Sequence, residues 1–157
     1  MIDNSSLASD PKFSVFVSAN AGTGKTRALT HRVFRLLLNG VKPDSILCVT
    51  YTKAAAAEMQ QRLQNTLSRW AVCSESELIS DLTEMNEPNP SQEKILISRQ
   101  LFARILDNED GPRIETIHSF CQTILTRFPI EAGVPPGFDL ITEFESNEIL
   151  QRRLLEL

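Results

Sequence analysis

The sequence of 157 residues lacks the features that mark secreted proteins, membrane proteins and proteins with a strong basic field. Its three cysteines, Cys48, Cys73 and Cys121, are far apart and form no Cys-x-x-Cys pair, so neither a disulfide framework nor a zinc site is expected. No apolar run is long enough to span a membrane, and the N-terminus lacks a signal-peptide pattern. The net charge of −4 confines any nucleic-acid contact to a local site. These absences indicate a cytoplasmic protein.

What the first half does contain is an alternation of strand and helix patterns. Residues 13–18 (FSVFVS) and 46–51 (ILCVTY) are β-branched and aromatic runs, which predict two buried strands. A helical pattern follows each run, the first ending at Gly40 and the second beginning near Lys53. The predicted buried faces are Leu29, Val33, Leu36 and Leu37 in the first helix and Ala55, Met59, Leu63 and Leu67 in the second. This order is typical of an α/β fold with a parallel sheet and crossover helices.

The middle of the chain is acidic, with no Lys or Arg between Ser74 and Glu93. We expect two helices here, at about 75–85 and 91–107, joined by the loop NEPNP. The acidic side chains are interpreted as a solvated face without a site.

The last third is predicted to begin with a turn at 108–112 and a third strand, RIETI, at 113–117. A helix, HSFCQTILTRF, should then end before Pro129, because proline cannot continue a helix. We expect a loop at 129–137, a short extended piece at 138–141, and a helix from Glu145 to the end of the chain.

Residues 19–26 (ANAGTGKT) approach the phosphate-loop template G-x-x-x-x-G-K-[ST], with Ala19 in place of the first glycine. The predicted strand before it and helix after it are the context that such a loop requires. Glycines let successive backbone N–H groups turn inward around a phosphate, and the helix start adds further N–H groups and a positive dipole end. Lys25 can reach the β- and γ-phosphates, and the Thr26 hydroxyl can ligate Mg²⁺. An unliganded glycine-rich turn would not explain why Lys and Thr stand together at the helix start.

Polar residues also follow the other two predicted strands. Thr52 and Lys53 follow the second strand, and Thr116, His118 and Ser119 lie at the end of the third. Because carboxyl ends of parallel strands form the binding edge of an open α/β sheet, these groups should share one edge.

The three segments ANAGTGKT, VTYTKAAAAEM and TIHSFC, in this order, resemble motifs I, Ia and Ib of superfamily 1 DNA helicases of the UvrD/RecB type. Alanine at the first loop position is common in that family. The alanine run ending in Glu58 and Met59, together with the helical insertion between Ia and Ib, is most similar to the AddA branch, whose members act in double-strand-break repair. The resemblance covers about residues 13–157.

The resemblance implies a partial RecA-like P-loop domain, subdomain 1A, at 13–128, with a helical insertion at about 71–107. Residues 1–12 would be a flexible N-terminus, and 129–157 would begin the helical 1B subdomain. ATP and Mg²⁺ would be the cofactors, with Lys25 and Thr26 catalytic and Thr26 on the metal. The nucleotide-binding residues would be Ala19, Asn20, Ala21, Gly22, Thr23, Gly24, Lys25, Thr26 and Arg27. Single-stranded DNA would meet Thr52, Lys53, Thr116, His118, Ser119 and Phe120.

The implied partners are single-stranded DNA, the remaining helicase domains in cis or as a separate chain, and an AddB-like subunit, with no membrane. The implied activity is ATP-dependent 3′-to-5′ translocation on DNA in recombinational repair. The sequence shows no Walker B acidic pair, no second RecA-like domain and no glutamine before Gln60. We therefore expect this chain to bind ATP without efficient hydrolysis. The alternatives are a small nucleotide kinase, whose lid arginines are not evident, and a non-hydrolysing nucleotide-binding remnant or split-gene fragment.

Overall fold

The computed structural model describes residues 4–18, 20, 22–107, 111–141 and 143–155. The chain divides into two compact units, Met1–Ile117 and His118–Leu157. Helix α6, apart from Ile117, therefore falls in the second unit, and the boundary after residue 128 that the resemblance implies stays a prediction. No helix in these ranges is long and apolar enough to cross a membrane.

In its described residues, the first unit contains five α-helices and two strands, in the chain order α1, α2, β1, α3, α4, α5 and β2. Their bounds are α1 Asn4–Ser9, α2 Lys25–Leu38, β1 Leu47–Thr50, α3 Lys53–Val72, α4 Glu75–Glu84, α5 Gln92–Asp107 and β2 Arg113–Thr116. A short 3₁₀ turn, Pro43–Ser45, precedes β1. The second unit contains α6, Ile117–Arg127, and α7, Glu143–Leu155.

Strands β1 and β2 pair in parallel, with Leu47 opposite Arg113 and Thr50 opposite Thr116. This two-stranded sheet is the only one in the described part of the chain. The predicted α/β class with a parallel sheet is thus confirmed in its coarse form.

The predicted buried strand at 13–18 is wrong in this structure. These residues form no strand, and Phe16 is 94% exposed. A strand exists only through pairing with a neighbour, and an apolar run alone does not supply that partner. The segment predicted as a buried strand at 46–51 is also exposed in part, since Val49 is 43% and Tyr51 84% exposed.

The core of the first unit lies among helices α2 to α5, and Cys48 of β1 belongs to it. Its fully buried side chains include Phe34 of α2 and Trp70 of α3, whose ring centroids are 5.0 Å apart. Helix α4 contributes Leu78 and Leu82, both 0% exposed. The helical insertion is therefore part of the core.

The buried faces follow the predicted periodicity with two corrections. In α2, Val33 and Leu37 are buried, but Leu29 is 41% exposed because it lines an open cavity near the helix start. In α3 the buried face includes Ala56 instead of Ala55, which is exposed, so this face begins one residue later than predicted.

The N-terminal residues expected to be flexible include helix α1. Arg32 of α2 holds the segment after α1 by donating to the carbonyl oxygens of Asp10 and Phe13, each at 2.6 Å. Ser9 is 1% exposed and its hydroxyl accepts from Arg35 at 3.3 Å.

The second unit has the predicted helix pair with altered bounds. Helix α6 ends at Arg127, two residues before Pro129, as the sequence predicts. Helix α7 begins at Glu143, two residues earlier than expected. Residues 138–141 form no strand. The predicted turn at 108–112 lies outside the described residues at 108–110.

Candidate nucleotide site and sheet edge

The loop before α2 turns through two glycines in the left-handed conformation. The φ angle is 78° at Gly22 and 87° at Gly24. Apart from the glycine itself and its two chain neighbours, no heavy atom lies within 4 Å of the place where a Cβ would stand at either residue. The backbone conformation, and not a lack of space, therefore requires glycine at both positions. Ala19 and Ala21, which the sequence places in the same site, lie outside the described residues.

The carbonyl oxygen of Asn20 binds two side chains of this loop. The Thr23 hydroxyl donates to it at 2.7 Å, and the Lys25 ammonium donates to it at 2.6 Å. Lys25 is thus folded back over the loop. An anion that entered the loop would compete with this carbonyl for the ammonium group.

The start of α2 carries only positive charge. Its first turn contains Lys25 and Arg27 and no acidic residue, and Gly24 at the N-cap provides no side-chain hydrogen bond. Cations near a helix N-terminus oppose the helix dipole, whereas an anion there is stabilised by the dipole and by the first N–H groups. The composition of this turn therefore fits a bound phosphate better than an empty helix end.

Thr26, the second residue of α2, is exposed at the loop. In the ranges that the structure describes, no group of three or more His, Cys, Asp or Glu side chains is arranged to hold a metal ion. A Mg²⁺ ion at this loop would accordingly take the Thr26 hydroxyl as a protein ligand and draw further oxygens from phosphate and water.

A cavity of about 460 Å³ adjoins Lys25, between α2 and the N-terminal segment. Val15, Val17 and Leu29 give it apolar walls. Its volume falls within the range of roughly 300–1,000 Å³ that small-ligand sites occupy. The cavity can therefore accept a base-sized ligand beside the loop.

The Arg27 side chain is directed toward α4 and not toward the cavity beside the loop. Its guanidinium donates to the Glu84 carboxylate of α4 at 2.7 Å. Glu84 lies 57 residues away in the acidic stretch, and nothing in the sequence pattern indicates this partner.

Next to that ion pair, His31 lines a small cavity of about 130 Å³ together with Arg27, Thr30 and Phe34. Burial lowers the pKa of His31 below its ordinary value near 6.5, the charge of Arg27 lowers it further, and Glu84 opposes the shift. His31 is therefore favoured in its neutral form beside the arginine.

The predicted solvated face at 74–93 is wrong for two of its acids, Asp81 and Glu87, whose side chains are only 18% and 17% exposed, whereas Glu84 is ion-paired but 63% exposed. Asp81 accepts from Trp70 Nε1 at 2.8 Å and pairs with Arg69. Glu87 accepts from Arg35 at 3.3 Å and also pairs with Lys94. Their basic partners lie before the acidic stretch or directly after it, so the sequence of the stretch alone does not indicate these ion pairs.

The carboxyl ends of β1 and β2 meet at one edge of the sheet, as expected from their parallel register. Thr52 caps α3, because its hydroxyl oxygen accepts from the Ala55 N–H at 3.1 Å, and Lys53 is the exposed first residue of that helix. Thr116 at the end of β2 is only 7% exposed, so its side chain offers little surface to a ligand.

The remaining residues of the predicted DNA contact stand at the start of α6, in the second unit. His118 is exposed, and Ser119 and Phe120 are half-buried. The first turn of α6, like that of α3, contains no acidic residue.

The chain is similar to known proteins over most of its length. The family model described as the UvrD/REP helicase N-terminal domain matches residues 3–156. An ATP-dependent helicase/nuclease subunit of Lactobacillus johnsonii is 36% identical over 141 residues, which are 90% of this chain and 10% of the relative. The protein of the same name from Enterococcus faecalis is 35% identical over 129 residues, 82% of this chain and 9% of the relative. The chain thus spans about a tenth of the length of these curated relatives.

Proposed function

Because the chain belongs to the UvrD/REP helicase N-terminal domain family, we propose that it is the nucleotide-binding N-terminal portion of an ATP-dependent DNA helicase. The whole protein would move 3′-to-5′ on single-stranded DNA in the repair of double-strand breaks. The names of its relatives, which are ATP-dependent helicase/nuclease subunits, support the helicase activity, and the direction and the repair role extend the resemblance of the motifs. In this proposal residues 13–128 belong to a RecA-like subdomain 1A and residues 129–157 begin subdomain 1B.

The observation that carries the proposal is the loop before α2. Two left-handed glycines precede a helix whose first turn has two cations and no acid. Lys25 would exchange the Asn20 carbonyl for the β- and γ-phosphates of ATP, and Thr26 would hold Mg²⁺. Bound Mg²⁺ supplies charge neutralisation between the β- and γ-phosphates. The loop residues from Ala19 to Gly24 would surround the phosphates with backbone N–H groups.

DNA contact is proposed for the helix starts beyond the sheet edge. The exposed Lys53 and the hydroxyl of Thr52 suit a phosphate backbone, because backbone N–H groups at a helix N-terminus favour anions. His118, Ser119 and Phe120 would add polar and stacking contacts. For Thr116 the burial favours a packing role at the end of β2.

Hydrolysis by this chain alone is proposed to be slow. Efficient phosphoryl transfer needs a group that positions water and an arginine that stabilises the transition state, and the latter is worth roughly 10³–10⁵ in rate in related NTPases. The two arginines near the loop are engaged elsewhere, Arg27 with Glu84 and Arg32 with the carbonyl oxygens of Asp10 and Phe13. The remaining helicase domains, and an AddB-like subunit, would be the partners that complete the activity.

A titration with a fluorescent ATP analogue and Mg²⁺ tests the nucleotide site. Lys25→Ala should weaken binding about 10- to 150-fold, the range of one lost charge-assisted hydrogen bond. Lys53→Ala is the matched control, since it removes the same group from the start of α3. It should leave nucleotide affinity unchanged and weaken binding of a single-stranded oligonucleotide.

The two variants thus separate the two proposed sites. Equal nucleotide affinity for Lys25→Ala and the wild-type chain would refute the phosphate-loop assignment. Equal oligonucleotide affinity for Lys53→Ala and the wild-type chain would refute the DNA contact at α3.

A further inference from the structure

The end of α4 and the loop that follows it are attached to α2 at two points. Glu84 pairs with Arg27 at 2.7 Å, in the first turn of α2, and Glu87 pairs with Arg35 at 3.3 Å, two turns further along. Met85, between the two acids, is only 5% exposed. The insertion is therefore fixed along the helix that begins at the phosphate loop.

The two cations at the start of α2 point to different sides of the helix. Lys25 lines the cavity beside the loop, in line with Ala28 and Arg32. Arg27 lines the smaller cavity toward α3 and α4, together with His31 and Asp81. The ion pair with Glu84 thus keeps the guanidinium on the face of α2 that is turned away from the Lys25 cavity.

We propose that Glu84 is a positioning residue that holds Arg27 away from the bound nucleotide, and that loss of this contact tightens nucleotide binding. The inference rests on the proposed function of the loop. In this proposal the helical insertion restrains Arg27, which is adjacent to the phosphate site.

The physical reason is competition between anions for one guanidinium. A nucleoside triphosphate at the loop attracts Arg27, which is next to Thr26, but the side chain must first leave Glu84. The pair is exposed, with 60% of the Arg27 and 63% of the Glu84 side chain accessible. Exposed pairs of this kind are worth a factor of about 1.4 to 5 in an equilibrium constant, so the restraint is a modest one that salt should weaken.

The test compares Glu84→Gln with the wild-type chain in a titration with the fluorescent ATP analogue and Mg²⁺. We expect about two- to fivefold tighter binding at low salt and a smaller difference at high salt. Glu58→Gln is the matched control. Glu58 is 65% exposed and pairs with Arg62 at 2.7 Å, so its replacement removes the same charge and a similar ion pair within α3.

A double-variant cycle separates the restraint from a general effect of charge. In a chain that already carries Arg27→Gln, the change Glu84→Gln should no longer alter nucleotide affinity. An unchanged gain in that background would overturn the proposal, because Glu84 would then act on the ligand directly. Weaker binding by Glu84→Gln alone would also overturn it, since the ion pair would then place Arg27 for the nucleotide.

Failure of the proposed function gives a different result. If the wild-type chain and Lys25→Ala bind the analogue equally, the loop is not the site, and the restraint falls with it. If Lys25→Ala loses binding while Glu84→Gln matches the wild-type chain, the nucleotide site stands and only the restraint is refuted.

Discussion

Replacing Leu78 by alanine tests whether the helical insertion is part of the folding unit that carries the phosphate loop. Leu78 is 0% exposed on α4, and α4 packs against a core whose other members lie mainly on α2, α3 and α5. At about 0.8 kcal/mol for each of the roughly three methylene equivalents removed, the transfer term is about 2.4 kcal/mol. A cavity that does not collapse raises the cost, so the expected loss lies between about 2 and 5 kcal/mol.

Urea denaturation followed by far-ultraviolet circular dichroism measures this loss. Leu96→Ala is the matched control, because Leu96 lies on α5 of the same insertion and is 57% exposed. It should change the free energy of unfolding by less than about 0.5 kcal/mol. Equal, small effects of the two substitutions would refute the packing argument, since α4 would then be a peripheral addition to the first unit.

Two further predictions concern the surroundings of α2 and α4. The pKa of His31 is lower in the folded chain than in the unfolded chain, so stability should be full above about pH 6.5 and should fall as the pH drops toward the folded pKa. His31→Gln should flatten this slope in urea titrations at several pH values, and an unchanged slope would contradict the assignment to His31. Ser74 caps α4 in a reciprocal pair of hydrogen bonds with Glu77, so Ser74→Ala should cost about 0.5–2 kcal/mol in thermal or urea unfolding, and an equal loss with Ser80→Ala, on the exposed side of the same helix, would contradict the capping argument.

Local patterns predicted most helices of this protein. The spacing of apolar residues placed α2, α4 and α5 within one or two residues of their bounds, because helical hydrogen bonds join residues that are close in sequence. The loop sequence likewise predicted the position of Lys25 and Thr26 at the start of α2. Both features depend on residues within a few positions of each other.

Features that depend on distant residues were missed. The strand predicted at 13–18 requires a pairing partner that the sequence does not identify, and the segment instead runs exposed beside α2. The acids of the insertion were interpreted as solvated because their partners Arg27 and Arg35 lie about fifty residues earlier. Arg27 itself was assigned to the nucleotide by its place in the motif, which carries no information about Glu84.

The position of Trp70 has a practical consequence for spectroscopy. It is the single tryptophan of the chain, is 0% exposed, and lies where α2, α3 and α4 meet, against the Phe34 ring and within hydrogen-bond distance of Asp81. Tryptophan fluorescence therefore reports on one known position in the core, and no engineered label is needed. A displacement of α4 from α2 would expose the indole to water and shift its emission to longer wavelength. Release of the Arg27 side chain alone would leave the emission unchanged. The protein thus carries an intrinsic optical reporter that distinguishes movement of the insertion from movement of one side chain.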